Sequence, residues 1–335
     1  MLNTSSCIQM GKTTILILNI LFCMTVYTQS YVGVTGIRDS SYNNKAAFAN
    51  DVKKYPNIKL VTNFEFSTVE STKDIVYANL TSRPLLLDVF KPIKNVSDTR
   101  TAIIIIHGGG WRTGNRTQHY PLAASLANLG YVCFTPEYRL STEALFPSAV
   151  YDLKKTVKWV RSNAKAYNIN PDKIVVLGFS AGGELAAFLG TTGDMSLFEG
   201  TETPSTVSSK VNAVVDIDGT LAFIHPESGE GDDSKGTSAA TYWFGYSKKE
   251  NPVLWKAAAP LTYVGPNTPP TLFINSSVDR MHAGRDDYMA VLRKNSIYSE
   301  VIHFETAPHS FILYHPWFNP SVEGIDRFLR IIFEQ

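Results

Sequence analysis

Cysteine is scarce in this 335-residue chain: there are 3, and two of them, Cys7 and Cys23, fall within residues 1–30. Cys133 stands alone beyond that stretch, which excludes an internal disulfide there and leaves a hydrophobic core as the source of stability. Because it sits in the apolar run Tyr131–Thr135, it is expected as a small buried residue, not a nucleophile. An excess of one charge is lacking as well. Lys and Arg number 31 against 30 Asp and Glu, scattered along the chain with a net charge of +1, so the basic stripe that nucleic acid needs is absent and no nucleic-acid partner is expected. No H-E-x-x-H or paired C-x-x-C spacing occurs, so a metal site is not expected. With no G-K-[ST] or G-x-G-x-x-G pattern either, nothing marks a phosphate cradle, and no cofactor is implied. Internal repeats and low-complexity tracts are absent.

What is present begins with a leader. Lys12 precedes an apolar run, Ile15 to Tyr27, followed by the polar Thr28-Gln29-Ser30, the pattern of a secretory signal peptide over residues 1–30. Asn19 interrupts the run, which is shorter than the roughly 20 residues of a membrane-spanning helix. The expectation is an exported protein, periplasmic or secreted, with no transmembrane segment in the mature chain. Cys23 raises a lipoprotein as the lesser alternative, against which the bulky Phe22 precedes it. Met10, with Gly11-Lys12 as a short basic region, is an alternative start. Residues 31–335 are read as one catalytic domain, since α/β enzymes often use this many residues in one.

Within that domain, Ile58 to Phe66 and Asp74 to Phe90 alternate and carry β-branched residues around the turn-like Leu80-Thr81-Ser82-Arg83-Pro84, which predicts antiparallel strands at the outset. The runs at residues 102–106, 131–135, 174–177, 211–217, 271–275 and 301–304 are short and almost continuously apolar, as strands covered on both faces are. Between them Val150, Leu153, Val157 and Val160 recur at helical spacing after Pro147. Val322, Ile325, Leu329 and Ile332 repeat the stripe, with Asn319 as cap and Pro320 at the first helical position. Strands alternating with helices imply an α/β fold, a mostly parallel central sheet with helices on both faces. Residues 219–265 break the alternation with a polar, Gly-rich loop (227–236) and the aromatic cluster Tyr242, Trp243, Phe244 and Trp255. An insertion of that length is usually functional, and it is read as a cap over the site. The alternative is that these aromatics fill a satellite core.

The strand at 174–177 runs into Gly178-Phe179-Ser180-Ala181-Gly182-Gly183, and a helical pattern follows. This is G-x-S-x-G in a strand-turn-helix context, where a turn too tight for flanking side chains holds the Ser180 hydroxyl clear of the sheet. The N–H of Ala181, at the start of the helix, points into the same space. A second buried strand ends in His107-Gly108-Gly109-Gly110-Trp111. Its glycines let backbone N–H groups approach a carbonyl oxygen, so Gly108, Gly109, Gly110 and Ala181 are the candidate oxyanion donors, without a choice among the glycines. His107 is expected to fix that loop and not to act as a base. Chain order in this arrangement is Ser, then Asp or Glu, then His. Asp279, in the loop after the 271–275 strand, is preferred to Asp286 and Asp287, which fall in a helical pattern. His309, in the loop after the last strand, is preferred as base to His303 inside the strand, His315 beyond the loop and His282 too close to the acid. A neutral imidazole can take the serine proton and return it to a leaving alcohol while the carboxylate fixes its tautomer. Trp111 and Trp243 are the aromatic candidates for contact with substrate.

With those residues in hand, the chain from about Ile58 to its end resembles the α/β-hydrolase superfamily. Within it, His107–Trp111 with Gly178–Gly183 is similar to the hormone-sensitive-lipase-like carboxylesterases. The runs Asn275–Asp286, Pro308–Phe311 and His315–Phe318 resemble bacterial bifunctional feruloyl and acetyl-xylan esterases. The resemblance implies a metal-independent serine esterase acting on polysaccharide side-chain esters or small esters, with the triad on Ser180, Asp279 and His309. Glu184 departs from it, since many members carry a histidine there, which alters packing behind the nucleophile. Two other readings compete: a peptidase of the prolyl-oligopeptidase type, for whose propeller the chain has no room, and a scaffold kept for binding without turnover, which usually loses a triad member.

Overall fold

The computed structural model describes residues 33–39, 41–62, 64–94, 98–200 and 206–334. The leader, with Cys7 and Cys23, lies outside them. A helix α1 (Asn44–Asp51) and a two-residue strand β1 (Lys59–Leu60) precede the hairpin β2 (Val69–Asn79) and β3 (Pro84–Pro92). Then come β4 (Arg100–Ile106), α2 (Tyr120–Asn128), β5 (Val132–Pro136), α3 (Ser148–Ser162), β6 (Ile169–Phe179), α4 (Ala181–Thr191) and β7 (Ala213–Ile217). After α5 (Ala239–Phe244) and α6 (Pro252–Ala257) the chain closes with β8 (Thr271–Asn275), α7 (Arg285–Lys294), β9 (Ser299–His303), β10 (Tyr314–His315) and α8 (Phe318–Phe333).

Each of the six apolar runs is a strand; five of them lie inside the sheet, and the sixth, β9, forms its edge and is only partly buried. The 8-stranded sheet has the order β2-β3-β5-β4-β6-β7-β8-β9, antiparallel from β2 to β5 and parallel from β5 onward. Every residue of β5, β7 and β8 is buried. Successive side chains point to opposite faces, so Ile104 and Val176 pack with Leu153 and Val157 of α3 and Leu185 and Phe188 of α4. Their neighbours Ile103 and Val175 pack with Leu122 and Leu126 of α2 and Ile325 and Leu329 of α8. The expected mostly parallel sheet with helices on both faces is the observed one. Cys133 is fully buried in this interior, and burial pushes its thiol pKa up, so it is inert.

Two local expectations differ. Among the described residues of the predicted strand at 58–66, only Lys59–Leu60 pairs, antiparallel with β10 in a separate two-stranded ribbon; the hairpin begins later, at Val69. Helix α8 starts at Phe318 with Trp317 as N-cap. Asn319 and Pro320 therefore lie in its first turn, where a missing N–H has no intrahelical bond to lose.

Residues 219–265 lie between β7 and β8 and carry α5 and α6. Ser238 Oγ accepts from Thr241 N–H at 3.1 Å and Asn251 Oδ1 from Leu254 N–H at 3.1 Å, so α5 and α6 each begin on a side-chain cap. Trp243, Phe244 and Trp255 are fully buried against Phe223, Phe146 and one another. These three aromatics join the same buried cluster as the α3/α4 side of the sheet. No helix among the described residues is long and apolar enough to cross a membrane.

Candidate active site

Strand β6 delivers Ser180 to the C-terminal edge of the sheet, and the turn that follows is tight. A Cβ on Gly178 would lie 1.8 Å from the Gly182 carbonyl oxygen, so only glycine fits before the nucleophile. Ser180 itself has φ 57° and ψ −122°, a sparsely populated conformation for a side-chain-bearing residue. It is held there by its N–H donating to Ile217 O at 2.8 Å and by Gly183 and Glu184 N–H donating to its carbonyl at 2.9 and 3.1 Å.

His309, in the loop after β9, stands beside it. Its Nε2 is 2.9 Å from Ser180 Oγ and its Nδ1 2.9 Å from Asp218 Oδ2. The ring packs on Phe179 at a centroid distance of 4.9 Å. Ser180 and His309 are thus brought together as the sequence suggested, but the carboxylate on Nδ1 is not the expected one. Asp218 is the residue immediately after β7, with φ 51° and no exposed surface. Its other oxygen accepts from Ser276 N–H at 2.8 Å, and its own N–H donates to Ile274 O at 3.1 Å.

Asp279 is corrected by this geometry. After β8 the chain is pinned at Ser276 and turns outward, leaving Asp279 exposed at the start of a single 3-10 turn, Asp279–His282. An exposed carboxylate pair contributes at most about 1 kcal/mol, whereas a buried charge-assisted hydrogen bond contributes about 1.5–3 kcal/mol. The geometry therefore favours Asp218 as the group that orients His309. The sequence signal was available: Asp218 also follows a buried strand and also lies between Ser180 and His309 in chain order. His282 and His303 both place Nε2 3.1 Å from the Ser276 carbonyl oxygen, behind the acid and away from the serine. Burial lowers the pKa of His282.

The Gly-rich loop after β4 lies against the nucleophile. A Cβ on Gly108 would come within 2.8 Å of Phe179 O and 3.1 Å of Ser180 Cβ. Gly108 is nonetheless corrected as an oxyanion donor, because its N–H already donates to the buried Gln118 Oε1 at 2.7 Å. The N–H groups of Gly109 and Gly110 meet no acceptor among the described residues, and that of Ala181 opens α4, where helix N–H groups have no intrahelical partner. These three remain to face an anion. Gln118 tethers this loop, a contact absent from the sequence reading because nothing local marks a glutamine ten residues on as the acceptor. His119, next to it, packs edge-on against Phe179 at 5.6 Å.

His107 fixes the loop as expected. It is buried and stacked on Tyr138 at 4.4 Å, its carbonyl accepts from Tyr138 O–H at 2.9 Å, and burial lowers its pKa to about 3. Trp111 and Trp243 are corrected as substrate contacts: they are 4% and 0% exposed and stack on each other at 4.7 Å, which makes them interior packing. Glu230, in the polar loop of the β7–β8 segment, is 3.7 Å from Arg280 Nη1, and burial raises its pKa. The assembled groups form a hydroxyl, a base hydrogen-bonded to it, a buried acid orienting the base and backbone donors beside them, the set required for acyl transfer through a tetrahedral intermediate.

A family model described as BD-FAE matches residues 87–283. Among curated proteins, Esterase LipQ of Mycobacterium tuberculosis is 30% identical over 213 residues, 63% of this chain and 49% of LipQ. An arylesterase of Saccharolobus solfataricus is 35% identical over 104 residues, 31% of this chain and 33% of that protein. The chain thus spans about half the length of LipQ and, at 48%, of Esterase LipC from the same bacterium. Among solved structures, a truncated carbohydrate esterase from gut microbiota superposes with a TM-score of 0.66 at 23% identity, over 81% of this chain and 99% of that one. Apo Thermogutta terrifontis esterase 2 gives 0.65 at 25% identity, over 80% and 96%.

Proposed function

The chain belongs to the BD-FAE family and has the α/β-hydrolase fold, and from that premise we propose that it is a serine hydrolase of carboxylic esters. The observation that carries this is the unbroken hydrogen-bond path from Ser180 Oγ through His309 to Asp218. Ser180 Oγ attacks the acyl carbon as His309 Nε2 takes its proton. Gly109, Gly110 and Ala181 N–H groups receive the oxyanion, each such donor contributing about 3 kcal/mol in the transition state. His309 then returns the proton to the leaving alcohol oxygen, and water repeats the sequence to free the acid. Asp218 holds Nδ1–H and balances the imidazolium.

In the finer reading the ester is an acetyl or feruloyl group on a plant cell-wall polysaccharide such as xylan or pectin, and the enzyme is exported. Support comes from the resemblance of residues 275–286, 308–311 and 315–318, from the leader pattern, and from a structural neighbour that is itself a carbohydrate esterase. The β7–β8 segment bounds the site: Ala239 of α5 abuts Gly110 of the oxyanion loop. The purified enzyme is expected to hydrolyse p-nitrophenyl acetate, to be labelled by a fluorophosphonate at Ser180, and to release acetate or ferulate from acetylated xylan, arabinoxylan or pectin compared side by side. Absence of both hydrolysis and labelling overturns the reaction class; turnover of the small ester with no release from any polysaccharide overturns only the substrate.

Gln118→Ala is expected to lower kcat roughly tenfold with KM nearly unchanged, less than the 10²–10³-fold lost with an oxyanion donor itself. Steady-state kinetics on p-nitrophenyl acetate measures it. An unchanged kcat means that the Gly108 tether does not position the loop.

A further inference from the structure

Glu184 stands on the first turn of α4, directly behind Ser180, and no proton transfer in the mechanism uses it. Its side chain has no exposed surface; Oε2 accepts from Trp111 Nε1–H at 2.9 Å, and Oε1 is buried with no hydrogen-bond partner among the described residues. Trp111 is the residue that ends the Gly108–Gly110 loop. Its backbone is left-handed at φ 56°, its carbonyl accepts from Ser141 N–H at 2.7 Å, and its indole stacks on Trp243 of α5 with an interplanar angle of 5°. One buried hydrogen bond therefore joins the nucleophile's helix to the end of the oxyanion loop, and one ring stack carries that joint to the β7–β8 segment.

We propose that Glu184 is a positioning residue, held as an uncharged carboxylic acid, which fastens the oxyanion loop to α4 through Trp111 and so sets the aim of the Gly109 and Gly110 N–H groups; the catalytic part of this rests on the ester-hydrolase reading.

The charge state follows from what faces the group. Trp111 comes from the loop, Asp216 from β7, Glu230 from the β7–β8 segment and Tyr138 from the chain after β5. None is a cation. Burial pushes the Glu184 carboxyl well above its ordinary value, Asp216 and Glu230 push it the same way, and only the Trp111 hydrogen bond opposes them. An ionised carboxylate here would bury a charge with a single donor and one empty oxygen, the costly case. The neutral acid keeps the Trp111 bond without that charge. A raised folded-state pKa stabilises the fold below the unfolded carboxyl value and loses that contribution as pH rises toward the folded value.

Four variants test the proposal: Glu184→Gln, Glu184→Ala, Trp111→Phe and the pair Glu184→Ala with Trp111→Phe. On p-nitrophenyl acetate at pH 7, Glu184→Ala and Trp111→Phe are each expected to lower kcat about tenfold with KM within about twofold, and the pair no further. Glu184→Gln, which keeps the acceptor, stays within about threefold of wild type. Denaturant unfolding adds a readout that packing alone does not move: between pH 5 and 7 the unfolding constant of wild type relative to Glu184→Gln rises about a hundredfold. The indole ¹⁵N–¹H resonance of Trp111 shifts in Glu184→Ala and stays in Glu184→Gln. A flat unfolding ratio, or Glu184→Gln as impaired as Glu184→Ala, overturns the neutral acid; an unimpaired, folded Glu184→Ala, or additive losses in the pair, overturns the clamp. If wild type hydrolyses no ester, the ester reading fails by itself, and the unfolding ratio and indole resonance still decide the Glu184–Trp111 bond and its protonation.

Discussion

Asp218→Ala is expected to cost about 10⁴-fold in kcat/KM on p-nitrophenyl acetate, while Asp279→Ala stays within about threefold of wild type. The difference follows from what each carboxylate touches. Asp218 is fully buried, 2.9 Å from His309 Nδ1, and fixed by the Ser276 N–H. It selects the tautomer with the proton on Nδ1, so that Nε2 presents its lone pair to Ser180. Removing it leaves the imidazole free to adopt the other tautomer and leaves the developing imidazolium without its counter-charge. Asp218→Asn keeps an oxygen for Ser276 but can turn an N–H₂ toward Nδ1, which favours the wrong tautomer. It is expected to lose nearly as much as Asp218→Ala, with the fold better preserved. Asp279 is exposed on its 3-10 turn, where its removal disturbs only solvated charge. The reverse result, an inert Asp218→Asn and a crippled Asp279→Ala, would assign the acid to the loop after β8 and overturn the geometry described for His309.

That pair of residues shows what could be read ahead of the structure and what could not. The five central strands were legible because burial on both faces writes a continuous apolar run, and the elbow at Ser180 because a close backbone approach demands glycine on either side of it. The order of Ser, acid and His was legible too. Two aspartates, however, satisfy the order and the strand-end position equally. What separates them is how far the chain turns outward after Ser276, which is set by packing across β7, β8 and β9 and leaves no local trace. Gln118 was invisible for the same reason. Its role is a side chain reaching back ten positions to Gly108, and sequence pattern speaks only to backbone periodicity and turn chemistry.

The aromatic residues erred in the opposite direction. Trp111 and Trp243 look like substrate contacts when read beside a nucleophile, yet the segment that carries Trp243 must bury its own apolar side chains, and the indole faces are spent on each other. Glu184 illustrates how such packing becomes functional. A carboxyl where the resembled family often has histidine is a departure without evident use in the sequence. The indole N–H of Trp111 supplies the use, because a buried donor needs an acceptor.

Ser180→Ala and His309→Ala are each expected to lower kcat about 10⁶-fold, and the double variant to be no slower than either alone. The hydroxyl is a poor nucleophile unless the imidazole takes its proton in the same step, so once either is gone the other has nothing to act on. What should survive is a rate still about 10³–10⁴ above water, supplied by substrate binding and by the N–H groups of Gly109, Gly110 and Ala181. That residue is informative because the donors are backbone atoms that no side-chain replacement removes. If the loop is aimed by its tethers, adding Gln118→Ala to Ser180→Ala should erode the surviving rate further, about tenfold, even though the covalent pathway is already lost. A double variant Ser180→Ala with His309→Ala that is far slower than either single would mean that the two side chains act in separate steps, in conflict with the 2.9 Å contact between them. Single-turnover measurements with a several-fold excess of enzyme over p-nitrophenyl acetate resolve rates this low, and mass spectrometry of the variants before and after the assay excludes a trace of wild-type protein as their source.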